Sequence, residues 1–84
     1  MKLEFKTQAL KDLAYFEKCM PNLAERVYQL LESIENTPFL GLGKPEPLKY
    51  ALAGKWSRRV DYRHRLVYQV SHDVIIVYAC HYHY

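Results

Sequence analysis

The spacing of apolar residues divides the chain into segments with different periods. Residues 1–6 alternate apolar and polar side chains, which predicts a short half-buried strand. Apolar residues then recur at helical spacing over about 7–19 and again over about 21–36. Thr7 can cap the first helix, and Pro21 is tolerated in the first turn of the second. The first half of the chain is therefore predicted to be a strand followed by two helices.

The second half of the chain returns to the period of two that is typical of strands. Residues 38–47 contain three prolines and two glycines, which predicts an irregular loop. Residues 55–61 and 64–71 then alternate, as the strands of a hairpin do. A turn at 71–73 leads into residues 74–80, which are apolar on both faces, as expected of a central strand.

The order of these elements predicts an α+β fold in which two antiparallel helices pack on one face of a twisted antiparallel sheet. We expect a single domain over residues 1–84, because this length suffices for one core and not for two. If Leu66 faces the helices, alternation places Arg65 on the opposite, open face. Arg59 joins it if Val60 points inward. A bulge near the end of the last strand would reverse the faces there.

Basic residues are concentrated in the second half of the chain. The net charge is +3, but residues 44–65 contain seven basic side chains against two acidic ones, Glu46 and Asp61. Such a segment favours a polyanionic partner, because lysine and arginine gain affinity by releasing counterions from phosphates. A solvated charged face with no partner is the alternative.

The two cysteines and the distribution of apolar residues bear on location. Cys19 and Cys80 are too few for a disulfide framework, and we expect both to pack as small apolar residues in a reducing compartment. Apolar residues nowhere run long enough to span a bilayer. The sequence thus predicts a cytoplasmic protein with no membrane association.

Groups suited to metal-free RNA cleavage occur together in this sequence. The reaction needs a base for the 2′-hydroxyl, cations for the charge on the phosphate, and an acid for the departing 5′-oxygen. Glu46, which stands between two prolines, can supply the base, and Arg59 and Arg65 the cations. His83 can supply the acid. Each also has a simpler interpretation: a solvated loop glutamate, arginines in surface ion pairs, and a solvated histidine.

Other chemistries find less support. His81 and His83 could grip a metal from one side of a strand, but no neighbouring cysteine or carboxylate completes a ligand set. The glycines at 41–44 lack the spacing of a nucleotide-binding loop. Neither Ser57 nor Cys80 lies in a nucleophile motif. We therefore expect no metal and no other cofactor.

Four segments carry a resemblance to a known family. The chain contains TPF, then GLGKPEPLKYALAGKWSRRV, then HRLVYQV, and then VYACHYHY. These resemble the YoeB (Txe) toxins of the RelE superfamily, small messenger-RNA interferases of bacterial toxin–antitoxin pairs, and the similarity covers nearly the whole chain. The resemblance implies a microbial-ribonuclease-like fold and an endoribonuclease that acts on messenger RNA in the ribosomal A site.

The resemblance also implies roles for individual residues. Glu46 matches the general base, Arg65 the residue that stabilises the phosphorane, and His83 the general acid. Three further positions match residues that bind phosphate or position substrate: Lys49, Arg59 and Tyr84. The chain departs from the family at His81, where arginine is frequent, and at Phe5, where tryptophan is frequent.

The partners implied by the resemblance are a cognate antitoxin, the ribosome and messenger RNA, and a homodimer stays open. Two other classes of function are kept. A module that binds RNA or the ribosome without cutting would explain the basic segment but would not need Glu46 and His83. A DNA-binding regulator is disfavoured, because there is no helix-turn-helix signal and the basic residues fall on strands.

Overall fold

A computed structural model describes residues 1–82 as one strand, two helices and four further strands. The elements are β1 (Lys2–Phe5), α1 (Thr7–Cys19), α2 (Pro21–Asn36), β2 (Glu46–Pro47), β3 (Trp56–Arg59), β4 (Arg65–Ser71) and β5 (Val74–Tyr82), with a 3₁₀ turn at Tyr50–Leu52. Apart from β2 and the 3₁₀ turn, this is the order that the periodicity predicts, and the α+β fold is confirmed.

The sheet has five strands in the order β1-β5-β4-β3-β2. Neighbours from β2 to β5 run antiparallel, as predicted, whereas β1 runs parallel to β5, with Lys2 opposite Val74 and Phe5 opposite Val77. The sheet is therefore mixed. Parallel strands cannot be joined by a hairpin turn and need a long connection. Here the chain leaves β1 into α1 and α2 and forms the partner strand β5 only after β4.

Two local details differ from the sequence predictions. Glu46 and Pro47 belong to an edge strand paired with β3, although the whole of 38–47 was expected to be loop. Proline fits at such an edge because no partner needs its missing N–H. Thr7 is the first residue of α1 and caps nothing, since the N-cap is Lys6. Pro21 does begin α2, as predicted.

The core lies between the helices and one face of the sheet. Its buried members come from both helices, β4, β5 and the turn after β3: Ala9, Leu13, Phe16, Ala24, Val27, Leu30, Leu31, Ile34, Val60, Leu66, Tyr68, Ile75, Val77 and Cys80. Cys80 thus packs as expected, whereas the expectation for Cys19 is wrong, because it is exposed at the end of α1.

The pairing of β4 with β5 shifts register near the end of β5. Ile75 and Val77 face the core, and after the shift Cys80 does so as well, although its parity is opposite. The carboxylate of the buried Asp12, on α1, accepts hydrogen bonds from the backbone N–H groups of Cys80 and His81 at 3.1 and 3.2 Å. A helix side chain therefore satisfies donors in the irregular part of β5.

Arg58 is buried in the core side of β3, with no exposed surface. Its guanidinium donates five hydrogen bonds, at 2.6 to 3.2 Å, to two hydroxyls and three backbone carbonyls: Tyr68, Ser33, Leu42, Thr37 and Leu40. The prediction that Arg58 contributes to a surface that binds a polyanion is therefore wrong. It fastens the loop after α2 to the sheet.

Candidate functional site

The face of the sheet turned away from the helices carries two of the predicted catalytic side chains, Glu46 and Arg65. Val60 is buried in the core, and Arg59, next to it, is exposed. Arg59 lies directly opposite Arg65 in the pairing of β3 with β4. Directly opposite residues of an antiparallel pair project from the same face of the sheet. Both arginines therefore lie on the open face, as the alternation predicts.

Glu46 reaches this face from the edge strand. Arg65 Nη1 donates a hydrogen bond to Glu46 Oε1 at 3.2 Å. The arginine side chain is only 18% exposed, whereas that of the glutamate is 53% exposed. An ion pair open to water contributes little to the stability of the fold, so the importance of this pair lies in how it positions the two groups. A hydrogen-bond acceptor and a planar cation are held side by side at the sheet surface.

A cavity of about 340 Å³ opens at this pair. Its walls combine the two charged side chains with residues of the segment that follows β2: Glu46, Pro47, Leu48, Lys49, Tyr50, Leu52 and Arg65. Leu48 is buried, and its N–H donates to the Lys55 carbonyl at 2.9 Å, which fixes the base of the hairpin loop. The cavity thus places a lysine and a tyrosine beside the glutamate and arginine.

The turn between β3 and β4 is ordered by Asp61. Asp61 Oδ1 accepts hydrogen bonds from the backbone N–H groups of Arg63 and His64 at 2.8 and 2.7 Å and lies 3.0 Å from His64 Nδ1. Partial burial acts to raise the pKa of Asp61, but these donors outweigh it and lower the pKa below its ordinary value. The His64 ring stacks on that of His81 at 4.6 Å, which joins this turn to the end of β5.

The structure brings together part of the predicted site. Glu46, Lys49 and Arg65 line one cavity, and Arg59 lies on the same face, opposite Arg65. The predicted acid His83 and the predicted positioning residue Tyr84 lie outside the described residues. Reasoning from sequence missed the tyrosine of the cavity, Tyr50, and the structural roles of Asp12 and Arg58. Tyr50 and Asp12 have no chemical signature of their own in the sequence, and charge alone does not distinguish the buried Arg58 from the exposed Arg59.

Two negative findings apply to residues 1–82. Within that range, the histidine, cysteine and acidic side chains form no group of three or more able to hold a metal ion. The expected absence of a metal stays a prediction, since His83 is not among these residues. Neither of the helices described has the length and apolar character needed to cross a membrane.

Comparisons with known proteins show which family the chain resembles. The sequence model of a family described as YoeB-like toxin of bacterial type II toxin–antitoxin system matches residues 5–84. Toxin YoeB of Escherichia coli K12 is 42% identical over 84 residues, covering all of both chains.

Solved structures extend the similarity to the fold. The YoeB/ParE toxin from Agrobacterium tumefaciens superposes with a TM-score of 0.96 at 40% identity, over the whole of both chains. Chains from the YoeB–YefM complex and the YoeB dimer of Staphylococcus aureus give 0.92 and 0.94 at 39% identity, each covering 100% of this chain and 98% of the other.

Proposed function

Because the chain belongs to the YoeB-like toxins of bacterial type II toxin–antitoxin systems, we propose that it is an endoribonuclease that cleaves messenger RNA in the ribosomal A site. Cleavage there would inhibit translation. The observation that carries the proposal is the Glu46–Arg65 pair at 3.2 Å on the open face of the sheet. It sets a proton acceptor beside a group suited to a phosphate.

The proposed reaction is a transesterification through the 2′-hydroxyl. Glu46 accepts the 2′-hydroxyl proton while the 2′-oxygen attacks the adjacent phosphorus. Arg65 donates hydrogen bonds to the phosphate oxygens and stabilises the charge that develops on them. The bond from phosphorus to the 5′-oxygen breaks, and His83 gives that oxygen a proton. The products are a 2′,3′-cyclic phosphate and a free 5′-hydroxyl, with no metal in any step.

Substrate binding is assigned to the cationic side chains around the cavity. Lys49 and Arg59 are both exposed. Lys49 lines the cavity with Arg65, and Arg59 lies directly opposite Arg65 on β3, so each can contact a phosphate next to the scissile one. Tyr84 is proposed to position the substrate, on the family resemblance alone. Eighty-four residues offer a small open surface, so we infer that the ribosome supplies the orientation that free RNA would lack.

The proposed protein partners follow from the relatives. The Staphylococcus aureus protein forms a complex with YefM and also a dimer. We propose that this chain has a cognate antitoxin and can form a homodimer, that it acts as a single domain over residues 1–84, and that it works in the cytoplasm, where its ribosomal substrate is found.

Cleavage mapping on programmed ribosomes tests the function. Purified protein is incubated with ribosomes carrying a defined message, and new 5′ ends are mapped by primer extension. We expect Glu46→Gln and His83→Ala each to lower the cleavage rate by about 10²-fold or more, as loss of a general base or acid does. Glu32→Gln, at an exposed glutamate of α2, is the matched control and should cut at the wild-type rate.

Two further substrates and variants separate the mechanism from mere binding. A message with 2′-O-methyl ribose at the cleavage position should resist cutting, because it lacks the attacking hydroxyl. Arg65→Lys should also fail, since a point charge does not reproduce the planar guanidinium. Removal of residues 83 and 84 should abolish cleavage and preserve salt-sensitive ribosome binding. Ribosome binding without any cleavage by the wild-type chain would instead identify a non-catalytic binding module.

A further inference from the structure

Tyr50 is the most exposed of the large hydrophobic side chains in the described part of the molecule, at 92%. It lines the same cavity as Glu46 and Arg65. Exposure alone decides little, because single exposed aromatic residues are common on protein surfaces. What needs an explanation is the combination of this exposure with the backbone conformation of the residue.

The backbone of Tyr50 lies in the left-handed region, with φ of +58°. This conformation suits glycine and is an outlier for a bulky side chain. It is held by the 3₁₀ turn, in which the N–H of Leu52 donates to the Lys49 carbonyl at 3.1 Å and that of Ala53 to the Tyr50 carbonyl at 3.0 Å. The turn therefore holds the tyrosine in an unfavourable conformation.

The fold gains almost nothing from the Tyr50 ring. The side chain is outside the hydrophobic core, and glycine would adopt the same backbone with less strain. Strained residues that the surrounding structure holds in place concentrate at functional sites. A tyrosine kept at such a position, with its ring in solvent at the edge of a cavity, is accounted for by a ligand that the ring contacts.

The neighbours of Tyr50 indicate the chemistry of that ligand. The cavity that Tyr50 lines is also lined by Lys49, whose ammonium suits a phosphate, and by Arg65. Apart from Glu46, which pairs with Arg65, the remaining lining residues are apolar: Pro47, Leu48 and Leu52. A planar base joined to a phosphate meets these features together, because every nucleobase has a face that can stack on an aromatic ring.

We propose that the ring of Tyr50 stacks on a nucleobase of the bound RNA, next to the nucleotide whose phosphate contacts Arg65. The inference rests on the proposed function and names a positioning residue for it. Stacking on one base would hold the backbone in register, so that the 2′-hydroxyl of the neighbouring nucleotide lies at Glu46.

The first test is a set of substitutions at Tyr50 assayed for cleavage on programmed ribosomes. Tyr50→Ala should lower kcat/KM by roughly 5- to 150-fold, the range found when a stacking side chain is removed. Tyr50→Phe should stay within about twofold of wild type, because the stacking ring remains. The control is Tyr62→Ala, since Tyr62 is 89% exposed in the β3–β4 turn and does not line the cavity.

Tyr50→Gly separates a positioning role from a structural one. Glycine relieves the strain at φ of +58°, so the thermal midpoint should be unchanged or higher while cleavage falls as far as in Tyr50→Ala. If the ring instead supports the turn, Tyr50→Gly will lower the midpoint and the cleavage rate together, and the proposal is wrong.

Fluorescence of 2-aminopurine measures the stacking without any cleavage. A message with 2′-O-methyl ribose throughout carries 2-aminopurine at each A-site position in turn, and is used both on ribosomes and as a free oligonucleotide at high protein concentration. Wild type and Tyr50→Phe should quench the fluorescence at one position, and Tyr50→Ala should not. If the quenching depends on Tyr50 but the wild-type chain never cuts RNA, the stacking proposal holds and the proposed nuclease activity is wrong. Cleavage and quenching that both survive Tyr50→Ala would reject the stacking and leave the nuclease standing.

Discussion

Replacing Arg58 with alanine should destabilise the fold far more than the same change at its neighbour Arg59. The Arg58 guanidinium donates to the carbonyls of Thr37, Leu40 and Leu42 at 2.6, 2.8 and 3.0 Å. A buried acceptor that loses its donor costs about 1 to 3 kcal/mol. The two hydroxyl partners can rotate to new donors or acceptors, so only the three carbonyls are counted. They belong to loop residues that are partly open to water, so each is taken at the lower end of that range, which gives about 3 kcal/mol.

This loss is a large part of the total stability expected for a domain of this size, about 4 to 13 kcal/mol. Urea unfolding, followed by circular dichroism and by the fluorescence of Trp56, measures it. Arg59→Ala, at an exposed position, should change the free energy of unfolding by less than about 0.5 kcal/mol. Arg58→Lys keeps up to three donors and should fall between the two, which leaves a measurable variant if Arg58→Ala does not fold. Equal unfolding midpoints for Arg58→Ala and Arg59→Ala would refute the reasoning.

Three further predictions concern stability and reactivity. Gly43→Ala should destabilise strongly, because its Cβ would lie 2.7 Å from a core leucine methyl at φ of +84°, whereas Gly54→Ala at +94° meets nothing closer than 3.8 Å and should cost less in the same urea assay. Iodoacetamide at neutral pH should modify Cys19 and spare Cys80, since burial and Asp12 raise the pKa of Cys80 to about 12, as peptide mass spectrometry can check. Because the pKa of Asp61 is lower in the folded state than its ordinary value of 3.8, the ionised carboxylate stabilises the fold above pH 3.8, and this contribution is lost as the pH falls through the folded pKa. Asp61→Asn should therefore lose less stability than the wild type when the pH is lowered, as urea unfolding at several pH values can measure. The same pH dependence in both proteins would contradict this prediction.

Adjacent arginines show how far alternation along a strand predicts function. Arg58 and Arg59 are the same residue type in the same basic segment, and the period of two assigns them to opposite faces. The assignment of Arg59 and Arg65 to the open face was correct for this reason. The prediction that both arginines belong to a polyanion site was wrong for Arg58. Charge alone does not reveal that the folded chain surrounds its guanidinium with five hydrogen-bond acceptors.

Features that depend on distant segments could not be predicted. Asp12 looks like an ordinary polar residue of a helix, and only the packed fold brings it to the backbone of Cys80, which is 68 residues away. The parallel pairing of β1 with β5 likewise depends on the whole chain and not on the residues of β1. The charged residues of the cavity, Glu46, Lys49 and Arg65, could be predicted because they lie in recognisable segments of the sequence. Tyr50 could not, because its backbone conformation has no sequence signature.

The position of β5 also affects when this fold can form during synthesis. It lies between β1 and β4, yet it is made after every other strand described. Until β5 is available, β1 has no neighbour to pair with and the helices lack most of their apolar contact surface. The β4–β5 hairpin is local, but the pairing of Lys2 with Val74 joins the first and the last of the described strands along the chain, so a nascent chain stays open and exposed to other proteins until β5 is made. We therefore expect the site at Glu46 and Arg65 to be completed only after β5 has been made, although the residues that form it are made earlier.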